Sequence, residues 1–332
     1  MRMNSSTIKK VLVTSAGCGP AVSVIKELKR QKDFPLHIYS SDIDETAPGL
    51  HLSDKYFLSP PMLEENYFVE FMYSLCKKNK IDFILPSLDK EILILSDEFN
   101  KSIIEKSGAK LLCNPHDISI RCIDKIESIQ HCVNNEILVP GTHSGLIKED
   151  GRTIHESVDW MPIIIKPRMG SGAKENIIIR NKIEKKQAVL NKGFFYQEFI
   201  DGKEYTIDIL CDTNAQFLAA LPRERMLVKS GQTVKGRVCK TSRLIKYAKN
   251  IASLFELTGV SCLQCIEKNN KLYFIELNPR YGTGISLAVG AGINMPLLHI
   301  KMAMGISPTK KELEYKDKLI MTRHWEERFI YA

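Results

Sequence analysis

The stretch GVSCLQCIEKNNKLYFIELNPR, residues 259 to 280, reads as two apolar strands joined by a turn, with polar side chains at a few fixed positions. Asn269-Asn270 supplies the turn. With the hairpin centred on Asn269, Ile266 faces Leu272 and Gln264 faces Phe274, which makes Glu276 a diagonal neighbour of Gln264 on one face. Polar side chains on so apolar a hairpin need partners, because an unpaired buried polar group costs roughly 1–3 kcal/mol. Oxygen ligands at Glu276 and Asn278, two residues apart, suit a hard cation such as Mg²⁺. Arg280 lies beside them and can hold an anionic substrate or a developing acyl phosphate.

Upstream, IIIKPRMGSGA (163–173) places Lys166 on a strand that runs into a glycine turn. A lysine on a rigid strand can fix one phosphate while small residues let backbone N–H groups approach another. It is not a Walker A loop, since no G-K-[ST] follows the glycines, and an ordinary hairpin turn fits the segment as well. YQEFIDGKEYTID (196–208) can serve as a connector that offers backbone groups to an adenine edge and an acid to ribose hydroxyls. A plain strand, turn and strand would look the same.

The N-terminal part alternates differently. KKVLVTSA (9–16) is a buried strand, Gly17-Cys18-Gly19-Pro20 breaks it, and AVSVIKELKRQ follows as an amphipathic helix. PLHIYSSDID and FILPSLDKE add further strands, which implies a parallel sheet flanked by helices over residues 1 to about 115. The glycine turn is not a dinucleotide fingerprint, because Val22 stands where G-x-G-x-x-G needs its third glycine. A helix is expected from Asp117 to Asn135, strands with tight turns after Pro140-Gly141, and helical spacing again over 242–258. SLAVGAGINMPLLHIKMAMG (286–305) is helical with an interruption at its Gly-Ile-Asn-Met-Pro.

At 332 residues the chain is long enough for two or three lobes. Its net charge of +8 comes from Lys and Arg scattered among acids, with no basic block of the kind that binds nucleic acid. No apolar run reaches the roughly 20 residues that span a bilayer, and VLV is too short for a signal-peptide core. A cytoplasmic protein without nucleic-acid or membrane partners is expected. Nine cysteines without framework spacing fit reduced thiols. The CxxC of Cys262 and Cys265 lacks the second pair that a zinc site needs. No HExxH motif or Ser–His–Asp order occurs.

Taken in order, IIIKPRMGSGA, YQEFIDGKEYTID, LQC and IELNPR resemble the ATP-grasp superfamily, in particular single-unit proteins similar to one ATP-binding half of the carbamoyl-phosphate synthase large chain. SSDIDETAPG and ILPSLDKE are similar to the substrate-side domain that precedes the grasp. The resemblance implies an α/β chain with a Rossmann-like pre-ATP-grasp domain at 1–115, followed by an ATP-grasp fold of two α+β lobes at 116–195 and 196–332. It implies that Lys125, in CIDKIES, and Lys166 contact ATP phosphates under a loop of Met169, Gly170, Ser171, Gly172 and Ala173. Gln197 and Glu198 would open the adenine-facing connector with Phe199 and Ile200, and Glu204 would be the ribose acid. Gln264, Glu276 and Asn278 would hold Mg²⁺, or Mn²⁺, with Arg280 and Lys166 catalytic at the reacting phosphate. Two amides stand where related ligases often carry acids, so Glu276 alone brings formal negative charge.

The implied activity is ATP-dependent ligation of a small carboxylic acid or amino acid to an amine through an acyl phosphate. The alternatives are a carboxylate or carbamate kinase and a non-catalytic nucleotide-binding protein. A homodimer is compatible with the superfamily. Arg223 and Arg225, in LPRERMLVKSG, suit recognition of the acid or, equally, a solvated strand end. Asp42 and Asp89, at carboxyl ends of parallel strands, are weaker candidates for the amine.

Overall fold

The computed structural model describes residues 8–143, 160–170, 175–181, 184, 193–324 and 326–330. Strands β1 (Lys9–Thr14), β2 (Leu36–Asp42), β3 (Lys55–Leu58), β4 (Phe83–Leu85) and β5 (Lys110–Leu111) form a parallel sheet in the order β3-β2-β1-β4-β5. Helices α1 (Gly19–Arg30), α2 (Glu65–Asn79), α3 (Asp89–Ser96) and α4 (Glu98–Glu105) connect the strands. Both faces of β1 and β4 are covered, which is why these strands are continuously apolar rather than alternating. The order reverses between β1 and β4, so the carboxyl ends of those strands open a crevice where the chain turns at Ser15–Cys18 and at Ser87–Asp89. Gly49 lies so close to that turn that a Cβ there would sit 2.3 Å from the Ala16 carbonyl oxygen.

The single helix expected over 117–135 is two helices, α5 (His116–Ile123) and α6 (Lys125–Asn134). The break is Asp124, whose ψ of 105° leaves the helix and whose carboxylate accepts from the Ile126 and Glu127 N–H groups. An N-cap acid that satisfies the exposed amides of the new helix competes successfully with an unbroken apolar period. Arg168 Nε donates to the same carboxylate, 2.8 Å from each oxygen, and fastens the end of one strand to the start of α6.

That strand is β7 (Ile163–Pro167), which lies in a four-stranded antiparallel sheet with β6 (Thr142–His143), β8 (Ile177–Ile179) and β9 (Phe194–Glu198), in the order β6-β9-β7-β8. A six-stranded antiparallel sheet follows, built from β10 (Lys203–Cys211), β11 (Phe217–Lys229), β12 (Gln232–Val238), β13 (Gly259–Lys268), β14 (Lys271–Asn278) and β15 (Ile320–Thr322). Its order is β14-β13-β10-β11-β12-β15. Helix Ser242–Leu254 packs against it, and helices Ile285–Ala291 and Met295–Ala303 join its core to that of the parallel sheet. Among the described residues no single helix is long and apolar enough to cross a membrane, and this last pair is bent by 90°.

The β13–β14 hairpin departs from the expected register. Asn269 and Asn270 both have positive φ, 49° and 57°, so they form a two-residue turn centred between them, and Ile266 faces Tyr273 instead of Leu272. Continued unbroken, that register would place Glu276 on the face opposite Gln264. Ile275 is the extra residue of a β-bulge, after which Gln264 pairs directly with Glu276 and Cys262 with Asn278. The bulge therefore creates the shared polar face.

On that face, Arg223 and Asp208 form a fully buried ion pair, with side chains 2% and 0% exposed and Nε 2.9 Å from the carboxylate. Gly284 covers the guanidinium so closely that a Cβ would sit 2.2 Å from it. Arg223→Ala should cost about 3–5 kcal/mol, because it strands a buried carboxylate. In urea unfolding, Arg223→Met with Asp208→Leu should recover most of that loss. Equal destabilisation of the single and double variants would show that unpaired charge is not the cause.

Candidate active site

A cavity of about 490 Å³ lies between the four-stranded and six-stranded sheets, with Lys125, Lys166, Gln197, Glu204, Gln264 and Glu276 among its lining. Lys166 projects from β7 and is 9% exposed, with Nζ 2.9 Å from Gln197 Oε1. Gln197 is itself held by Thr142 Oγ1 at 2.9 Å. Burial pulls the Lys166 pKa down to about 8, Glu276 and Glu204 oppose that shift, and Lys125 adds to it. Lys125, the first residue of α6, donates to the Gly170 carbonyl at 2.5 Å.

The six-stranded sheet contributes a connected row of side chains. Arg225 Nη1 donates to Glu204 at 2.5 Å and to Gln264 Oε1 at 2.8 Å, while Nη2 donates to the Gly231 carbonyl at 2.8 Å. Gln264 Nε2 and Asn278 Nδ2 both donate to Glu276 Oε1, at 2.6 and 3.1 Å. Arg280 then bonds Asn278 Oδ1 at 3.0 Å and Asp89 at 2.6 and 3.3 Å, joining the row to the parallel sheet. The two amides point N–H groups at Glu276 and oxygens at arginines. A half-turn about each terminal torsion would instead place amide oxygens beside the carboxylate. That oxygen-only donor set fits Mg²⁺, with further ligands expected from a phosphate.

Several residues expected at a site line this cavity: Lys125, Lys166, Gly170, Gln197, Glu198, Phe199, Ile200, Glu204, Gln264 and Glu276. Asn278 and Arg280 lie beyond its lining, on the side of the parallel sheet. Met169 is 45% exposed and outside the lining, while Ser171, Gly172 and Ala173 fall outside the described residues. Four residues expected on the substrate side are placed as follows, and the expectation for Arg223 is corrected. Arg223 is sealed in its ion pair and cannot reach a soluble acid. Arg225 lines the cavity, bonded through Nη1 to Glu204 and Gln264, with its Nε unpartnered among the described residues. Asp89 is paired with Arg280, and Asp42 accepts from the Gly17 and Asp44 N–H groups. Cys262 and Cys265, three apart on β13, point to opposite faces and are free thiols.

Other lining residues had not been anticipated, among them Ile164, Asn176, Val228, Gly231, Ile266 and Ile275. Strand alternation alone would have found Ile164 from Lys166 and Ile266 from Gln264. Glu91 was also missed. It is buried beside the β1 turn, accepts from Thr14, Ser15 and the Ser87 N–H, and burial raises its pKa.

Residues 192–327 match a family described as ATP-grasp in the biosynthetic pathway with Ter operon, and residues 11–111 match the PylC-like N-terminal domain. The formate-dependent phosphoribosylglycinamide formyltransferase of Prochlorococcus marinus is 22% identical, over 92% of this chain and 78% of its own length. The carbamoyl phosphate synthase large chain of Clostridium acetobutylicum is 22% identical over 76% of this chain, which spans only 24% of that protein. Among solved structures, an L-amino acid ligase from Bacillus licheniformis superposes with a TM-score of 0.69 at 16% identity, over 94% of this chain and 78% of that one. The family matches and relatives make the chain similar to ATP-grasp proteins, with the ATP-grasp match itself over residues 192–327.

With a pKa near 8, Lys166 is charged below that pH and neutral above it. A polyanion binds the charged form, so the apparent ATP affinity of the protein should fall as pH rises past 8, by up to about tenfold per unit. Isothermal titration from pH 7 to 9.5 measures this. Lys166→Arg should flatten the profile, and a flat wild-type profile would remove Lys166 from the phosphate contacts.

Proposed function

We propose that this protein is a Mg·ATP-dependent ligase that phosphorylates a small carboxylic acid or amino acid and passes the acyl group to an amine. The reading is carried by one observation: two lysines from one side of a cavity face an acid, an amide and a second acid from the other side. Lys125 and Lys166 suit the phosphates, since neither makes an ion pair among the described residues. The connector from Gln197 to Ile200 suits the adenine, and Glu204 the ribose hydroxyls. Glu276, with Asn278 and Gln264, suits Mg²⁺, which when bound would neutralise charge on the transferred phosphoryl group.

In this reading a carboxylate oxygen attacks the γ-phosphorus, the bond to the ADP oxygen breaks, and an acyl phosphate forms. The amine then attacks the acyl carbon, phosphate leaves with the C–O bonding pair, and the amine loses a proton to solvent or phosphate. Lys166 and Arg280 act by position and charge, which is most of what phosphoryl transfer asks of a protein. The likeness to an L-amino acid ligase supports an amino acid as the acid. The division near residues 115 and 195 belongs to the same proposal, and the limits of the two family matches, 11–111 and 192–327, support it.

Carboxylate oxygen labelling tests the mechanism. In a screen of amino acids and amines that yields ADP, ¹⁸O from the acid should appear in phosphate, and a productive reaction without that transfer would rule out the acyl phosphate. Glu276→Ala should lower turnover by about 10²-fold or more while leaving the circular dichroism spectrum unchanged. Near-wild-type turnover would exclude its metal role.

A further inference from the structure

Arg280 follows β14 and reaches across to Asp89, the first residue of α3. The pair is nearly buried, with side chains 10% and 11% exposed. A guanidinium carries five N–H donors. Nε donates to Asp89 Oδ1 at 2.6 Å, and Nη2 divides its two hydrogens between Asp89 Oδ2 at 3.3 Å and Asn278 Oδ1 at 3.0 Å. Nη1 gives one hydrogen to the Tyr281 carbonyl at 3.2 Å. One N–H, on Nη1, remains without a partner among the described residues.

That count decides what Arg280 can do. A two-point grip on a carboxylate uses two parallel N–H groups along one edge of the fork. Asp89 already fills the Nε/Nη2 edge, and Asn278 and Tyr281 take one hydrogen from each nitrogen of the other. What the residue still offers is its charge and one directed N–H. Burial lowers the Arg280 pKa, but the Asp89 carboxylate more than offsets that and keeps the group charged. Asp89 is well placed for this, in the first turn of α3 where the helix dipole favours an acid.

We propose that Asp89 is a positioning residue: it fills the fork of Arg280, fixes the guanidinium beside Asn278, and so presents it as a single-donor cation for the terminal phosphate of the nucleotide. The proposal rests on the reading of Arg280 at the reacting phosphate. It also assigns a function to the contact between the β4–α3 turn and the metal strand, which would otherwise be only a staple between two sheets.

The test is the preference for a triphosphate over a diphosphate, measured by calorimetry with the Mg²⁺ complexes of a non-hydrolysable ATP analogue and of ADP. The full-length wild type is compared with Asp89→Asn, Asp89→Glu, Arg280→Lys and the Asn/Lys double variant. Arg280→Lys and Asp89→Asn should each lower the preference about tenfold, as expected for one charge-assisted hydrogen bond. The double variant should lose no more than either single, and Asp89→Glu should recover part of the loss. A staple would instead lower the melting temperature and leave the preference unchanged. Asp89→Asn with normal preference beside a defective Arg280→Lys, or losses that multiply in the double variant, would overturn the proposal. An Arg280→Lys protein of normal preference would overturn it too, while leaving the nucleotide site in place. A wild type that binds neither nucleotide would overturn both this proposal and the ligase reading.

Discussion

Arg223 carries a charge into the interior of the six-stranded sheet, and the chain from Cys262 to Ile285 is arranged around keeping that charge paired. Asp208 supplies the counter-ion two residues along from the cross-strand position, and Cys262 lies against the same guanidinium. The segment after Arg280 must then cross over it. A Cβ at Gly282 would meet Cys262 and Arg223 at 2.6 and 3.0 Å, and at Gly284 there is room for none. The glycines let the backbone lie flat on the ion pair, and that level fixes where Arg280 leaves β14 and where helix Ile285–Ala291 begins. A buried ion pair is poor evidence of stability for its own sake. Here its consequence is geometric.

On the same face of the sheet a second constraint operates. From Glu204 through Arg225, Gln264, Glu276, Asn278 and Arg280 to Asp89, donors and acceptors bond in sequence, and each amide bridges an acid and an arginine. Three carboxylates and two guanidiniums in contact leave the row with little net charge of its own. Lys125 and Lys166 differ, because their partners are the neutral Gly170 carbonyl and Gln197 amide. A polyanion entering the cavity therefore meets two cations not already neutralised by contact. Attraction comes from the lysines and geometry from the row.

Much of this was legible in the sequence, for reasons that also explain what was not. Alternation along a strand places Glu276 and Asn278 on one face of β14, and that pattern needs no tertiary information. The face they share with Gln264 does, because it depends on where the turn is centred and on one extra residue at Ile275. The helix break at Asp124 was written locally, in a capping acid that the apolar period obscured. The arginines show the limit most clearly. Arg223 and Arg225 are two apart on β11 and look alike in sequence, yet one is sealed and the other lines a cavity. The difference is made by Gly282 and Gly284, far along the chain, and no local pattern carries it.

The fates of these arginines bear on how an acid would be used. Arg223 is buried with Asp208, Arg225 is engaged by Glu204 and Gln264, and the fork of Arg280 is filled by Asp89. Neither Arg223 nor Arg280 offers a two-point grip, while Arg225 keeps only its buried Nε and one Nη2 hydrogen without a partner among the described residues. For a carboxylate that is merely held, that would be a defect. For one that must attack phosphorus it is an advantage: a guanidinium fork draws electron density from both oxygens and stabilises the ground state that the reaction has to leave. Interactions that favour the reactant as much as the transition state do nothing for turnover. In the proposed reading, a single directed N–H and a fixed charge aimed at the phosphoryl group would instead grow in value as charge moves onto its oxygens.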